Sequence, residues 1–239
     1  MIYVKHKKAV AMIELIFSIT IMGIVMMSAP MLIAQASKGS LVAIQQEAIS
    51  AAATDLAMIL TRHWDEGDTN ISLESTVLIT QGNILLNEVN ISSLNIGRRA
   101  GADKFTSRTF VNSRGKRLSA TIKGNFIDGN NDDIDDYDNN THFLKIASVS
   151  SNGDYIDRNL TFRTTVDYIS DTPTLGNYKS KDLGLSNPFN TPAPNVTSNI
   201  KMVTINVTSS SGVKELQKNI TLRAFSCNIG SYRLESRTF

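Results

Sequence analysis

Residues 10–34 read VAMIELIFSITIMGIVMMSAPMLIA, an almost uninterrupted apolar run in which Glu14 is the only charged residue. In an α-helix, about 20 such residues are enough to cross a hydrocarbon core of ~30 Å. The run is longer than the apolar region of an ordinary secretory signal, which has roughly 7–15 residues. The sequence therefore predicts a transmembrane helix over residues 10–36.

The charges around this run predict its orientation. Lys5, Lys7 and Lys8 precede it, whereas only Lys38 follows closely. By the positive-inside rule, the N-terminus lies in the cytoplasm and the remainder of the chain lies outside. Removing these three residues from the 24 basic ones leaves 21 against 22 acidic residues. Because the rest of the chain is nearly neutral, its charge gives no reason to expect nucleic acid as a partner.

Glu14 requires an explanation, because a carboxylate at the centre of a membrane span costs about 2.5–3.5 kcal/mol. One explanation is its position near the start of the run, where it would reach the headgroup level. The other is a partner charge. If the chain were cut just before Val10, the new α-amino group would lie four residues from Glu14, and the amine of one subunit would neutralise Glu14 of its neighbour.

The segment Lys7-Lys8-Ala9, followed by Val10 and by Glu14 four residues later, resembles the type IV pilin and pseudopilin family. That family has a short basic leader, a small residue before a cleavage site, and an apolar helix with Glu at its fifth position. This chain differs from the usual pattern in having Ala9 in place of Gly and Val10 in place of Phe or Met.

The resemblance implies a processing pathway. A prepilin peptidase of the inner membrane would remove a cytoplasmic leader, residues 1–9, by cutting between Ala9 and Val10, and would methylate the new N-terminus at Val10. The mature chain would then join other pilin or pseudopilin subunits in a type IV pilus or a type II secretion-type pseudopilus. Glu14 would set the register of that assembly, and no enzymatic activity is implied.

The helix is expected to continue beyond the membrane to residue 63, so that it covers residues 10–63. Apolar residues recur there at steps of three and four, with polar residues between them, which predicts an amphipathic helix with one stripe for packing. The stripe consists of Leu41, Ile44, Ala48, Ala52, Leu56, Ile59 and Leu60.

Residues 64–239 are expected to form a β-rich extracytoplasmic domain. Short β-prone runs alternate there with Gly, Asn, Asp and Ser, and Ser209-Ser210-Ser211-Gly212 between the last two runs indicates a hairpin. Four of the five prolines lie in 171–199, which predicts a long surface loop. The predicted strands are 76–80, 105–111, 118–122, 159–169, 202–207 and 215–226. The predicted fold is therefore α+β, a long N-terminal helix packed on an antiparallel sheet.

An acidic segment at 128–138 contains six aspartates, which repel one another unless something neutralises them. Side-chain oxygens at the first, third, fifth and ninth positions of this segment, with a backbone carbonyl at the seventh, suit Ca²⁺. A solvated acidic turn is the alternative, because the sixth position is not Gly and the twelfth is not Glu. The candidate calcium ligands are Asp128, Asn130, Asp132, Ile134 and Asp136.

A second resemblance covers more of the chain. The run Asp132-Asp133-Ile134-Asp135-Asp136-Tyr137, together with the later run 200–205, is similar to minor pilins of the mannose-sensitive haemagglutinin type. It implies a minor subunit, at the tip or at initiation, rather than the bulk pilin.

Other motifs are few. Asn70, Asn90 and Asn159 each stand in the acidic-x-Asn-x-Ser/Thr context of bacterial N-glycosylation, a short pattern that also arises by chance. The single cysteine excludes an intramolecular disulfide. No phosphate-binding loop, zinc motif or nucleophile elbow is visible in the sequence.

Two hypotheses of different classes follow. The first is a structural subunit that initially resides in the inner membrane, with its C-terminal domain in the periplasm. It then enters a pilus or pseudopilus. The second is a permanent single-pass anchor that carries a periplasmic calcium- or ligand-binding domain and undergoes no cleavage.

Overall fold

The computed structural model of the chain describes residues 6–69, 76–88, 98–99, 110, 117–126, 129–146, 158–185, 187, 196–209 and 219–230. The chain divides into two compact units, Met1–Ile49 and Ser50–Phe239.

The first helix, α1, spans His6–Leu60 and continues through Pro30. It begins before the predicted cleavage site and ends three residues earlier than the predicted limit at residue 63. Two bonds of the i→i−3 type close its last turn, from the N–H of Thr61 to the carbonyl of Met58 at 3.2 Å and from the N–H of Arg62 to the carbonyl of Ile59 at 3.0 Å. Such tightening is common where a helix leaves its last carbonyls without intrahelical partners.

One stretch of α1 is long and apolar enough to cross a membrane, with a mean hydropathy of 2.1 over its most apolar window. None of that window is buried within the chain. A membrane anchor and a signal sequence both meet these criteria of length and composition. The prediction of a long apolar N-terminal helix is therefore confirmed in its length and composition.

Within the second unit, the end of α1 contributes to the core. Ala52, Leu56 and Ile59 are buried, and all three belong to the amphipathic stripe expected from the sequence. The short elements that follow are the helix α2 at Glu66–Thr69, a 3₁₀ turn at Ile84–Leu86, the two-residue strands β1 at Asn87–Glu88 and β2 at Arg98–Arg99, and a 3₁₀ turn at Asp135–Tyr137.

The main sheet is an antiparallel meander of four strands in the order β3-β4-β5-β6. These strands are β3 at Thr141–Ile146, β4 at Arg158–Ile169, β5 at Ile200–Ser209 and β6 at Asn219–Cys227. The predicted strands 159–169, 202–207 and 215–226 are thus confirmed as β4, β5 and β6 with shifted ends. The antiparallel pairing of β5 with β6 is also confirmed, while the turn between them lies outside the described residues. Strand β3 was not expected from the sequence.

Two predicted strands are reduced to a single contact. Residues 76–80 and 118–122 form one isolated parallel bridge between Ile79 and Ser119 instead of two strands. The N–H of Ile79 donates to the carbonyl of Leu118 at 2.8 Å, and the N–H of Ala120 donates to the carbonyl of Ile79 at 2.9 Å. The predicted strand 105–111 lies outside the described residues except for Phe110. The described residues 171–185 of the predicted loop contain one bridge, between Leu175 and Gly184.

The two faces of the sheet differ in character. Alternate residues of β4 and β5 lie on one buried face, here called the core face, as the two-residue period of a strand requires. On the opposite face of β5, Met202 and Thr204 are buried as well. The core face carries Phe162, Thr164, Val166 and Tyr168 of β4, and Lys201, Val203, Ile205 and Val207 of β5. Lys201 is the exception to the pattern, because it is a fully buried cation in an otherwise apolar row.

Candidate functional site

The residues of the expected processing site lie in α1. Ala9 and Val10 have helical backbone, and only the backbone of these two residues is described. Glu14 is exposed, and its backbone carbonyl accepts a hydrogen bond from Oγ of Ser18 at 2.8 Å. Within the described part of the chain, no cation forms an ion pair with the Glu14 carboxylate.

A cluster of buried charges in the second unit joins the segment after α1 to the acidic loop. The backbone N–H of Ile134 donates to the carbonyl of His63 at 2.9 Å, and His63 and Asp133 form a parallel bridge. This contact brings Asp65 and Asp135 close together, where both carboxyl groups contact Nζ of Lys201 in β5. We call Asp65, Asp133, Asp135, Tyr168 and Lys201 the buried cluster.

Lys201 is the centre of the buried cluster. Its Nζ donates to Oδ2 of Asp65 at 2.7 Å, to the backbone carbonyl of Trp64 at 2.8 Å, and to Oδ1 of Asp135. These three acceptors use all three hydrogens of the ammonium group. The same nitrogen lies 4.1 Å from the centroid of the Trp64 ring, within the range of a cation–π interaction.

Asp65 carries the negative charge that balances Lys201. Its carboxylate also accepts hydrogen bonds from the backbone N–H of Thr121 at 2.9 Å and from the backbone N–H of Gly67 at 3.0 Å. Burial alone would raise the pKa of the Asp65 carboxyl, but the charge of Lys201 and these hydrogen bonds outweigh it and hold the pKa below its usual value. Asp65 is therefore ionised at neutral pH.

Asp133 and Asp135 behave in the opposite way. Burial, followed by repulsion from Asp136, raises the pKa of Asp133 to about 7. Burial and the nearby charges of Asp65 and Asp133 raise the pKa of Asp135 to about 9, although Lys201 opposes that rise. One lysine cannot neutralise three carboxylates, so protonation of Asp135 keeps the buried cluster near zero charge at neutral pH.

Tyr168 completes the buried cluster. Its hydroxyl donates to the backbone carbonyl of Thr121 at 2.7 Å and lies 3.3 Å from Oδ2 of Asp65. Burial and then the neighbouring carboxylates raise the pKa of the Tyr168 hydroxyl far above its usual value, so it remains a donor. None of the five side chains exposes more than a trace of surface. This burial favours a structural role, in which the buried cluster holds together the segment after α1, the acidic segment 128–138 and the sheet.

The conformation of the acidic segment 128–138 is stabilised mainly by hydrogen bonds that its own carboxylates accept. Oδ1 of Asp133 accepts the N–H groups of Asp135 at 2.7 Å and Asp136 at 3.1 Å, and Oδ2 of Asp136 accepts that of Asp132 at 3.1 Å. Asp138 reaches the sheet, where its Oδ1 accepts the N–H of Val166 at 2.8 Å.

The expected calcium ligands are only partly brought together. Asp128 lies outside the described residues, and the carbonyl of Ile134 accepts the N–H of Tyr137 at 3.4 Å. Asn130 is exposed, whereas Asp132 and Asp136 are turned into the loop. Within the described ranges, no group of three or more His, Cys, Asp or Glu residues has the arrangement of a metal site. Calcium binding by Asp128, Asn130, Asp132, Ile134 and Asp136 stays a prediction.

The expected glycosylation sites are mostly beyond what the structure describes. Asn70 and Asn90 lie outside the described residues. Asn159 lies within β4, in register with Lys145 of β3. Glycosylation at the three positions stays a prediction.

The buried cluster was not predicted from the sequence, because nothing in the sequence assigned a role to Asp65 or linked it to the acidic segment 128–138. Two signals were available: the six aspartates of 128–138, which require neutralisation, and Lys201, a cation next to the alternating apolar run 202–207. Comparison of the chain with protein-family models, with curated proteins and with solved structures gives no match.

Proposed function

We propose that this chain is a minor pilin or pseudopilin, a structural subunit that enters a type IV pilus or a type II secretion-type pseudopilus after cleavage between Ala9 and Val10. Before assembly it spans the inner membrane once, with its N-terminus in the cytoplasm and its second unit in the periplasm. The observation that carries the proposal is the start of the apolar run, where a lysine-rich segment is followed by Glu14 as the only charge.

The exposure of α1 supports this proposal. The large apolar side chains of its first half are more than half exposed, up to 83% for Met27, and none of the residues that the structure describes covers them. Contact of so extensive an apolar surface with water is unfavourable for a monomer. Lipid before assembly and the helices of neighbouring subunits afterwards would both cover it.

Glu14 supports the same proposal. Its carboxylate has no cation partner within the described part of the chain, and an unpaired carboxylate in an apolar bundle is costly. The α-amino group created at Val10 of an adjacent subunit would supply the missing charge. This pairing would favour one axial offset between neighbouring helices.

An intact-mass measurement of the membrane-extracted chain separates the proposal from a permanent anchor with a periplasmic ligand-binding domain. The proposed function requires a mature chain that begins at methylated Val10. A chain that retains Met1 would support the permanent anchor instead.

Assembly is tested by Glu14→Ala, with Glu47→Ala as the matched control, since Glu47 is another exposed glutamate of α1. Glu14→Ala should leave a membrane-bound chain whose second unit has unchanged thermal stability, but the chain should be lost from sheared fibres. The control should enter fibres normally. Equal incorporation of both variants would contradict the role of Glu14.

A further inference from the structure

The face of the sheet opposite the core face, here called the outer face, carries an open groove of about 590 Å³. Its lining is polar and comes from the strands β3 to β6. We call this site the polar groove, and its lining includes Thr141, Thr161, Arg163, Asn206, Thr208 and Asn219.

The strand register places these side chains in two adjacent rows. One row runs across all four strands through Thr141, Arg163, Asn206 and Thr221. The next row contains Thr161, Thr208 and Asn219. Side chains in register on neighbouring strands are about 4.5–5.5 Å apart at Cβ, so the groove presents closely spaced hydroxyl and amide groups that both donate and accept hydrogen bonds.

One hydrogen bond within the groove orients its central amide. Oγ1 of Thr221 donates to Oδ1 of Asn206 at 2.7 Å. Because that bond uses the amide oxygen, the Nδ2 group of Asn206 remains to donate to a ligand. Arg163 is oriented too, since its Nη2 donates to Oδ1 of Asn139 at 3.3 Å.

The groove is positively charged. Arg163 lines the groove, whereas Arg223 lies beside it on the outer face, in register with Thr204. Both arginines are exposed, and neither forms an ion pair with a carboxylate in the described parts of the chain. Asp167, further along the same face of β4, is bound to Lys123. No carboxylate is among the residues that line the groove in the described strands. The charge therefore favours an anionic ligand.

An exposed aromatic ring stands at the rim of the groove. Phe143 of β3 is in register with Thr161 and is 66% exposed. A pyranose ring has an apolar C–H face, which packs well against the negative face of an aromatic ring. Hydroxyl groups at the edge of the same sugar would meet the threonine and asparagine side chains.

Other ligand classes fit the groove less well. Small apolar ligands favour enclosed pockets with mostly apolar walls, whereas this groove is open and polar. Single-stranded nucleic acid favours a long basic track with several stacking rings, whereas the groove has one lining arginine, Arg163, with Arg223 and Phe143 beside it.

We propose that the polar groove binds an acidic polysaccharide, with Arg163 and Arg223 pairing with its carboxylates and the asparagine and threonine side chains binding its hydroxyl groups. This inference goes beyond the proposed function and holds for either a pilus subunit or a permanent anchor.

The test measures binding of polygalacturonate to the full chain in detergent, with dextran and a single-stranded oligonucleotide as comparison ligands. The double variant Arg163→Gln/Arg223→Gln is compared with Arg62→Gln/Lys179→Gln. The second variant also removes two exposed cations, but neither lies on the outer face. The thermal midpoint of each protein confirms that both variants fold.

The wild type should bind polygalacturonate better than dextran, and its affinity should fall as salt is added. The groove variant should bind it at least about tenfold more weakly, as expected for the loss of charge-assisted hydrogen bonds, while the control variant should bind normally. Equal loss in both variants, equal binding of dextran, tighter binding of the oligonucleotide, or no binding of polygalacturonate would each overturn the proposal.

Discussion

Nζ of Lys201 lies 2.7 Å from Oδ2 of Asp65, and neither side chain exposes any surface to solvent. Asp65 follows the end of α1, and Lys201 lies in β5, one of the two central strands of the sheet. The ion pair is therefore a direct electrostatic link between the segment after the helix and the sheet.

Replacing Lys201 should be strongly destabilising. Lys201→Met leaves Asp65 as a buried charge without a counter-ion, which costs about 3–5 kcal/mol. Chemical unfolding of the detergent-solubilised chain measures this loss. Lys179→Met removes an exposed lysine and should change the unfolding free energy by less than about 0.5 kcal/mol.

The double variant Asp65→Asn/Lys201→Met tests whether the loss arises from the unpaired charge. It should recover part of the stability lost in Lys201→Met, because the amide that replaces the Asp65 carboxylate carries no charge to desolvate. A double variant whose destabilisation equals the sum of the two single losses would show that the two residues act independently.

The stability of the second unit should fall as pH rises above mildly acidic values. The pKa values of Asp133 and Asp135 are raised to about 7 and about 9 in the folded chain, from an ordinary value of 3.8 in both cases. Between the unfolded and folded values, the folded state binds more protons than the unfolded state, so each group loses its contribution as pH rises through its folded pKa. Asp65 acts in the opposite direction, and its contribution is lost only as pH falls below about 4, through its lowered folded pKa.

Thermal midpoints at about pH 5, pH 7 and pH 9.5 measure this dependence, and Asp135→Asn isolates it. The amide resembles the protonated carboxyl and does not titrate, so the variant should lose less stability than the wild type between about pH 7 and pH 9.5. Parallel pH curves for the two proteins would be incompatible with a raised pKa at Asp135.

Asn228 should be important for stability, although it lies in no regular element. Its Nδ2 donates to the carbonyl of Leu78 at 2.8 Å, and its Oδ1 accepts the N–H of Leu78 at 2.9 Å. Asn228→Ala leaves both buried backbone groups without these partners, at about 1–3 kcal/mol for each. Chemical unfolding measures the change, and Asn125→Ala, at an exposed asparagine, should be close to neutral. Similar unfolding curves for the two variants would refute the prediction.

Trp64 offers a spectroscopic check of the buried cluster, because it is the only tryptophan in the chain and is 7% exposed. Its fluorescence should be poorly quenched by acrylamide in the folded chain and strongly quenched after unfolding. Trp64→Phe should also cost about 1–2 kcal/mol, since it loses the hydrogen bond from Nε1 to the carbonyl of Ser226 at 3.2 Å and weakens the cation–π contact. Strong quenching in the native chain would show that the segment after α1 is open to solvent and would contradict the burial of Trp64.

The sequence predicted the elements that bury one face. Ala52, Leu56 and Ile59 recur at helical spacing, and Phe162, Val166, Val203 and Ile205 alternate within their strands, so hydrophobic periodicity located α1, β4 and β5. Strand β3 was missed because it lies at the edge of the sheet, where Phe143 is exposed and the alternation is weak. Residues 76–80 and residues 118–122 have strand-like composition, but the two segments share only the single β-bridge between Ile79 and Ser119.

The buried cluster could not be predicted in the same way. A lysine in a strand is usually solvated, and only partners of opposite charge make its burial tolerable. Those partners are 136 residues away at Asp65 and 66 residues away at Asp135. Local patterns carry no information about contacts at such separations.

The same separation makes Lys201 a reporter of folding. Its ammonium group reaches its buried site only after the segments that carry Asp65 and Asp135 have met β5. Contacts between residues so far apart in the sequence form slowly, because the entropy cost of closing the intervening loop must first be overcome. In every partly folded form that lacks this closure, the amine is open to acylating reagents. Protection of this one lysine from labelling would therefore time the closure that joins Asp65, Asp135 and β5.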